Sequence, residues 1–77
     1  MKKFDVSLSS INDVKLFVNS ASKQSCDIDL ISGRYVVDAK SIMGIFSIDL
    51  SKPITVEVRG DEAAAQAFCE EIKSFIV

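Results

Sequence analysis

Ala39-Lys40-Ser41-Ile42-Met43-Gly44-Ile45-Phe46-Ser47-Ile48 places a hydroxyl where a helix would begin and follows it with large apolar side chains. Serine suits a helix start because its oxygen accepts one of the first-turn backbone N–H groups that lack a helical partner. The helix that Ser41 would open is short, about two turns, and lies between two strand-like runs. Its spacing puts Ile42, Met43 and Phe46 on one side and turns Ile45 toward the core. Large apolar side chains left in water call for a partner, so these three are candidate docking residues, with Lys40 as a rim charge. The plainer alternative is that Ile42 and Phe46 pack against the loop before the first helix and close the surface. Gly44 would allow a close backbone approach.

Outward from this stretch the chain alternates strands and helices. On its N-terminal side, Cys26-Asp27-Ile28-Asp29-Leu30 and Arg34-Tyr35-Val36-Val37-Asp38-Ala39 read as a hairpin. They are joined at Ser32-Gly33-Arg34, where glycine can take a positive φ angle. Before the hairpin, Ile11, Val14, Phe17, Val18 and Ala21 recur at helical steps and form one apolar stripe, with Ser9 or Ser10 as the cap. Lys3-Phe4-Asp5-Val6-Ser7-Leu8 alternates with period two, which predicts a half-buried strand with Phe4, Val6 and Leu8 inward.

On the C-terminal side, Ile54-Thr55-Val56-Glu57-Val58-Arg59 is the clearest strand, its β-branched residues on one face. Pro53 just before it lacks the N–H that a central strand position needs. Gly60-Asp61-Glu62 then opens a last helix whose face is expected at Ala64, Ala67, Phe68, Glu71, Ile72 and Phe75. The order β-α-β-β-α-β-α implies an α+β fold. A four-stranded antiparallel sheet would carry helices on one face and leave the other to water.

Seventy-seven residues suggest a single domain, 1–77, with 48% hydrophobic and 26% charged residues. That balance excludes disorder. The net charge of −2 supplies no basic field for phosphate backbones, so direct nucleic-acid binding is not expected. No apolar run approaches the roughly 20 residues that span a bilayer, so no membrane partner is expected. Met1-Lys2-Lys3-Phe4-Asp5 has no apolar stretch behind it, so no signal peptide is expected and the cytoplasm is the default compartment. Cys26 and Cys69 read as small core residues, a disulfide being the sharper alternative. With no histidine among the 77 residues, a four-ligand metal site is not expected, and no cofactor is implied. No Gly-rich phosphate loop or nucleophile–base pair supports an ordinary enzyme.

Element order and motif together resemble the phosphocarrier protein HPr family of the bacterial sugar phosphotransferase system. The family pattern runs Ala/Ser-Lys-Ser-Ile/Leu-Met-Gly-Val/Ile/Leu-Met-Ser-Leu; this chain departs at Phe46 and, conservatively, at Ile48. Leu16-Phe17-Val18-Asn19-Ser20-Ala21-Ser22-Lys23 is similar to the family's first helix, and Gly33-Arg34-Tyr35-Val36-Val37-Asp38 to the strand before the motif. The resemblance implies an HPr-like open-faced β-sandwich.

Family members relay a phosphoryl group through a histidine at the start of the first helix. The matching segment here is Ser9-Ser10-Ile11-Asn12-Asp13-Val14, which lacks the family's histidine, arginine, glycine and proline. The resemblance therefore implies a degenerate member that does not carry phosphohistidine. What stays intact is Ser41, which matches a site modified by an ATP-dependent serine kinase in many Gram-positive members. A phosphoserine at a helix start adds charge where the dipole favours it and turns the neighbouring surface acidic. By the same resemblance, Ile42, Met43 and Phe46 match the patch that meets Enzyme I, sugar-specific A domains and the catabolite-control repressor; Lys40 would add a rim charge beside it or simply be solvated. A regulatory or interaction module switched at Ser41 is the expectation. The alternatives are a phosphotransferase component with an unusual acceptor, such as Asp13, or a structural domain that has lost the pathway.

Overall fold

Alternation of apolar and polar side chains becomes sheet at four places in the computed structural model, which describes residues 2–77. The strands are β1 (Lys2–Val6), β2 (Ile28–Ser32), β3 (Tyr35–Asp38) and β4 (Ile54–Val58). Between and after them lie α1 (Ile11–Ser22), α2 (Ile42–Phe46) and α3 (Glu62–Glu71), then a 3₁₀ turn at Lys73–Phe75. The order is βαββαβα, and the strands form one sheet in the order β1-β4-β2-β3, every pair antiparallel. This is the open-faced sandwich expected from the sequence.

Register explains why one face is dry. Phe4 pairs with Val56, Val56 with Leu30, and Leu30 with Val37, so a single apolar row crosses all four strands. Val6, Leu8, Ile28, Ile54 and Val58 extend that face and are fully buried or nearly so. The helices supply the covering layer: Val14, Phe17 and Ala21 from α1, Ile45 from α2, and Ala65 and Phe68 from α3. Phe17 and Phe68 meet edge to face, ring centroids 5.4 Å apart. Such a pair adds about 0.5–1.5 kcal/mol beyond its buried area.

The next row, one residue over, faces the other way: Lys3, Glu57, Asp29 and Asp38. Glu57 and Asp29 are direct neighbours, an arrangement of like charges that by itself destabilises a sheet. Arg59 offsets it, its guanidinium lying 3.0 Å from Asp29 and 3.2 Å from Glu57, while Lys3 approaches Glu57 at 3.5 Å. Glu57 is consequently only 7% exposed. The open face is thus not simply left to water, as expected, but covered locally by paired charge.

Turn chemistry follows the sequence. Gly33 takes φ +60 in the two-residue loop between β2 and β3, and among the described residues no other has a positive φ. Ser10 caps α1, its oxygen accepting from Asp13 N at 3.0 Å, and Asp61 caps α3, accepting from Ala64 N at 2.8 Å. The chain end lies along β1, with Val77 N donating to Asp5 O at 3.0 Å and Ser7 N to Phe75 O at 2.8 Å. That pairing shields one edge of the sheet.

Two expected core positions are corrected. Ile11 is 63% exposed, because it occupies the first helical position of α1 and the buried stripe begins one turn later at Val14. Ala67 is exposed and Ala65 buried, since Ala65, Phe68 and Ile72 set the phase of α3. Glu71, which interrupts the expected stripe, lies at its margin and pairs with Lys23 at 3.0 Å.

Candidate functional site

Ser41 caps α2 as the sequence implies. Its backbone is extended (φ −105, ψ 105), and its Oγ accepts from Gly44 N at 3.2 Å. Its own carbonyl accepts from Ile45 N at 3.1 Å, the first helical bond. Asp38, at the end of β3, anchors the approach: its carboxylate accepts from Lys40 N at 2.9 Å and its carbonyl from Ser41 N at 3.0 Å. The backbone before the helix is therefore fixed by two bonds, while the serine side chain stays exposed. Ser47 ends the helix, its hydroxyl donating to Gly44 O at 2.6 Å. The helix is five residues long, shorter than the two turns expected.

Gly44 has a steric reason here. A Cβ at that position would lie 3.3 Å from Ser41 Oγ and 3.4 Å from Val37 Cβ. The close approach lets α2 rest on β3 and leaves room for the capping oxygen.

The four candidate docking residues divide. Met43 is 77% exposed and Phe46 41% exposed, while Ile45 between them is fully buried. Ile42 is half-buried and packs against the core, so it supports the helix as much as it presents a surface. Lys40 is not a loose rim charge. Its ammonium donates to the backbone carbonyl of Gln24 at 2.8 Å, just past α1, in a half-buried position. Nothing in the local pattern around Lys40 signals that bond, because its partner is sixteen residues away.

The start of α1 is closed by its own residues. The Asp13 carboxylate accepts from Ser9 N at 3.1 Å and from Ser9 Oγ at 3.0 Å, while Asp13 N donates to Ser10 Oγ. The Ser9 backbone N–H, then its hydroxyl, hold the Asp13 carboxyl below its ordinary value. Asp13 is half-buried, and its carboxylate acts as a helix-start group.

Elsewhere, Cys26 and Cys69 are half-buried and free. Burial pushes the Cys69 thiol up. Among the described residues no group of His, Cys, Asp or Glu could hold a metal ion, and no helix is long and apolar enough to cross a membrane.

Comparison with known proteins bears on this arrangement directly. A family model described as PTS-HPr, "PTS HPr component phosphorylation site", matches residues 11–77. Among solved structures, HPr-C-His from Thermoanaerobacter tengcongensis aligns with a TM-score of 0.78 at 32% identity, covering 96% of this chain and 93% of that one. The phosphocarrier protein HPr from Bacillus anthracis str. Ames gives 0.68 at 30% identity, over 91% of this chain and 94% of that one. The histidine-containing phosphocarrier protein of Mycoplasma gives 0.73 at 26% identity, over 95% of this chain and 89% of that one. No curated protein sequence matches the chain.

Proposed function

The chain belongs to the HPr family of the phosphotransferase system, and from that premise we propose that it acts as a protein-interaction module, docking through α2 and switched by phosphorylation at Ser41. The observation that carries this reading is a pairing on one short helix. An exposed capping hydroxyl begins it, and Met43 and Phe46 stand in water along it. Exposed apolar side chains grouped on one element mark contact surfaces more often than scattered ones do. A phosphate at the cap would sit on the exposed N–H groups of α2 and place about −1.5 to −2 charges beside those apolar side chains. Docking could then change sign with little movement of the fold.

The absence of histidine from these residues supports a role other than phosphohistidine transfer. The closed start of α1 supports it too. Asp13, the available carboxylate in the matching segment, already accepts two hydrogen bonds from Ser9. Engaged this way, it is a poor nucleophile toward phosphorus. By family resemblance, the partners are an HPr serine kinase, the catabolite-control repressor or phosphotransferase components.

The test is a binding comparison of wild type, Ser41→Asp and Phe46→Ala against the host's repressor and phosphotransferase components. Phe46→Ala should weaken every interaction that Ser41→Asp changes. Binding that is indifferent to both substitutions would remove α2 as the docking element.

A further inference from the structure

Lys40 joins the cap of α2 to the end of α1. Its ammonium lies 2.8 Å from the Gln24 carbonyl. Gln24 lies one residue past the C-cap Lys23, in the turn after α1, where the negative end of the helix dipole favours a nearby cation. α1 has no basic residue in its last turn, and Lys23, its C-cap residue, has its ammonium on Glu71 at 3.0 Å. Lys40 therefore supplies from a different element the cation that this helix end lacks. The backbone of Lys40 is held through its N–H on Asp38, so movement of the ammonium is confined to the side-chain torsions. The next residue is Ser41.

Resting on the reading of Ser41 as a phosphorylation site, we propose that Lys40 is a positioning residue coupling the two helices: unmodified, it closes the end of α1, and a phosphate on Ser41 draws it away. The competition is between a neutral carbonyl and a group carrying about −1.5 to −2 charges. Both bonds are charge-assisted through the ammonium, but only the phosphate adds the attraction of opposite full charges. Adjacent side chains on extended backbone diverge, so the exchange needs a swing of the four-carbon stem rather than a backbone shift. The turn left behind is held by Gln24 N on Ala21 O at 3.1 Å and Lys23 N on Ser20 O at 3.3 Å, the second a long bond. A modification at α2 would thus loosen the last turn of α1. A switch of this kind requires the modified state to interact differently from the unmodified one, and the redirected ammonium supplies that difference.

The experiment uses full-length protein with phosphoserine installed at position 41 by translation or ligation, so that no kinase is needed. Failure of a kinase to modify Ser41 would remove the functional reading and leave this result unaffected. Amide exchange is read at Lys23 and Gln24, and the phosphate is titrated by phosphorus NMR, each with and without Lys40→Met. In unmodified protein, Lys40→Met should speed exchange at Lys23 and Gln24 several-fold. In phosphorylated protein those amides should already exchange fast, and Lys40→Met should add nothing there while raising the phosphate's second ionisation by a few tenths of a pH unit. Protection at Lys23 and Gln24 that survives phosphorylation, or a phosphate titration indifferent to Lys40→Met, would overturn the proposal.

Discussion

Cutting Ser41 to alanine tests the cap and the electrostatics of the switch together. Ser41 Oγ accepts a single exposed bond, from Gly44 N at 3.2 Å. Removing an N-cap oxygen costs about 0.5–2 kcal/mol. Two features put this site in the lower half of that range. The bond is long and water can replace part of it, and only five residues of helix lie beyond it. A loss of about 0.5–1 kcal/mol is expected, or about 2–8 °C in Tm for a domain of this size. Ser41→Asp keeps an acceptor oxygen and adds negative charge at the positive end of α2, worth about 0.3–1 kcal/mol at low salt. It should equal or exceed wild type. Urea midpoints and thermal melts of the three proteins at low and high salt give the ranking. The alanine deficit should persist in salt, while any aspartate advantage should shrink. An alanine variant as stable as wild type, or an aspartate variant below alanine, would refute the idea that this helix start welcomes a charged oxygen.

Neighbouring residues on α2 should separate stability from docking. Ile45→Ala, at a fully buried position, should cost about 2–4 kcal/mol in denaturant unfolding, and Phe46→Ala about 1 kcal/mol or less. At Gly60 an added Cβ would lie 2.7 Å from both Cβ and Sγ of Cys26. Gly60→Ala should therefore destabilise by about 1–3 kcal/mol in the same assay. Adding Cys26→Ala should relieve only part of it, since the Cβ contact remains. Asp13 gives a pH signature. Its carboxyl is held below the ordinary 3.8, so its contribution is complete above that value and is lost as pH falls through the lower folded value. Wild type should exceed Asp13→Asn in urea midpoint at neutral pH, and the two should converge in strong acid.

Local chemistry was legible in the residues; long-range pairing was not. Ser41 and Ser10 are caps because a hydroxyl at a helix start acts within three residues, a distance that sequence shows directly. Phe4, Leu30 and Val56 are legible as inward positions from their strands' patterns, while the face of Val37 and the strand order are not. Ile11 falls outside the core because helical spacing gives a stripe but not where along it the sheet ends. Ala67 faces water because Phe68 and Ile72 set the helical phase, which three alanines in a row, Ala63 to Ala65, leave open in the sequence. The burial of Glu57 depends on Arg59, Asp29 and Lys3 meeting across three strands. The Lys40 bond to Gln24 depends on two elements docking, and nothing near either residue announces it.

Phosphate mapping by intact-mass and peptide spectrometry tests most directly whether this HPr-family scaffold works through its serine rather than an imidazole. One sample receives ATP and an HPr serine kinase, the other phosphoenolpyruvate and Enzyme I. The expected result is one phosphate in the first sample, absent from Ser41→Ala, and none in the second. Incorporation that persists in Ser41→Ala, or any adduct from phosphoenolpyruvate, would contradict it.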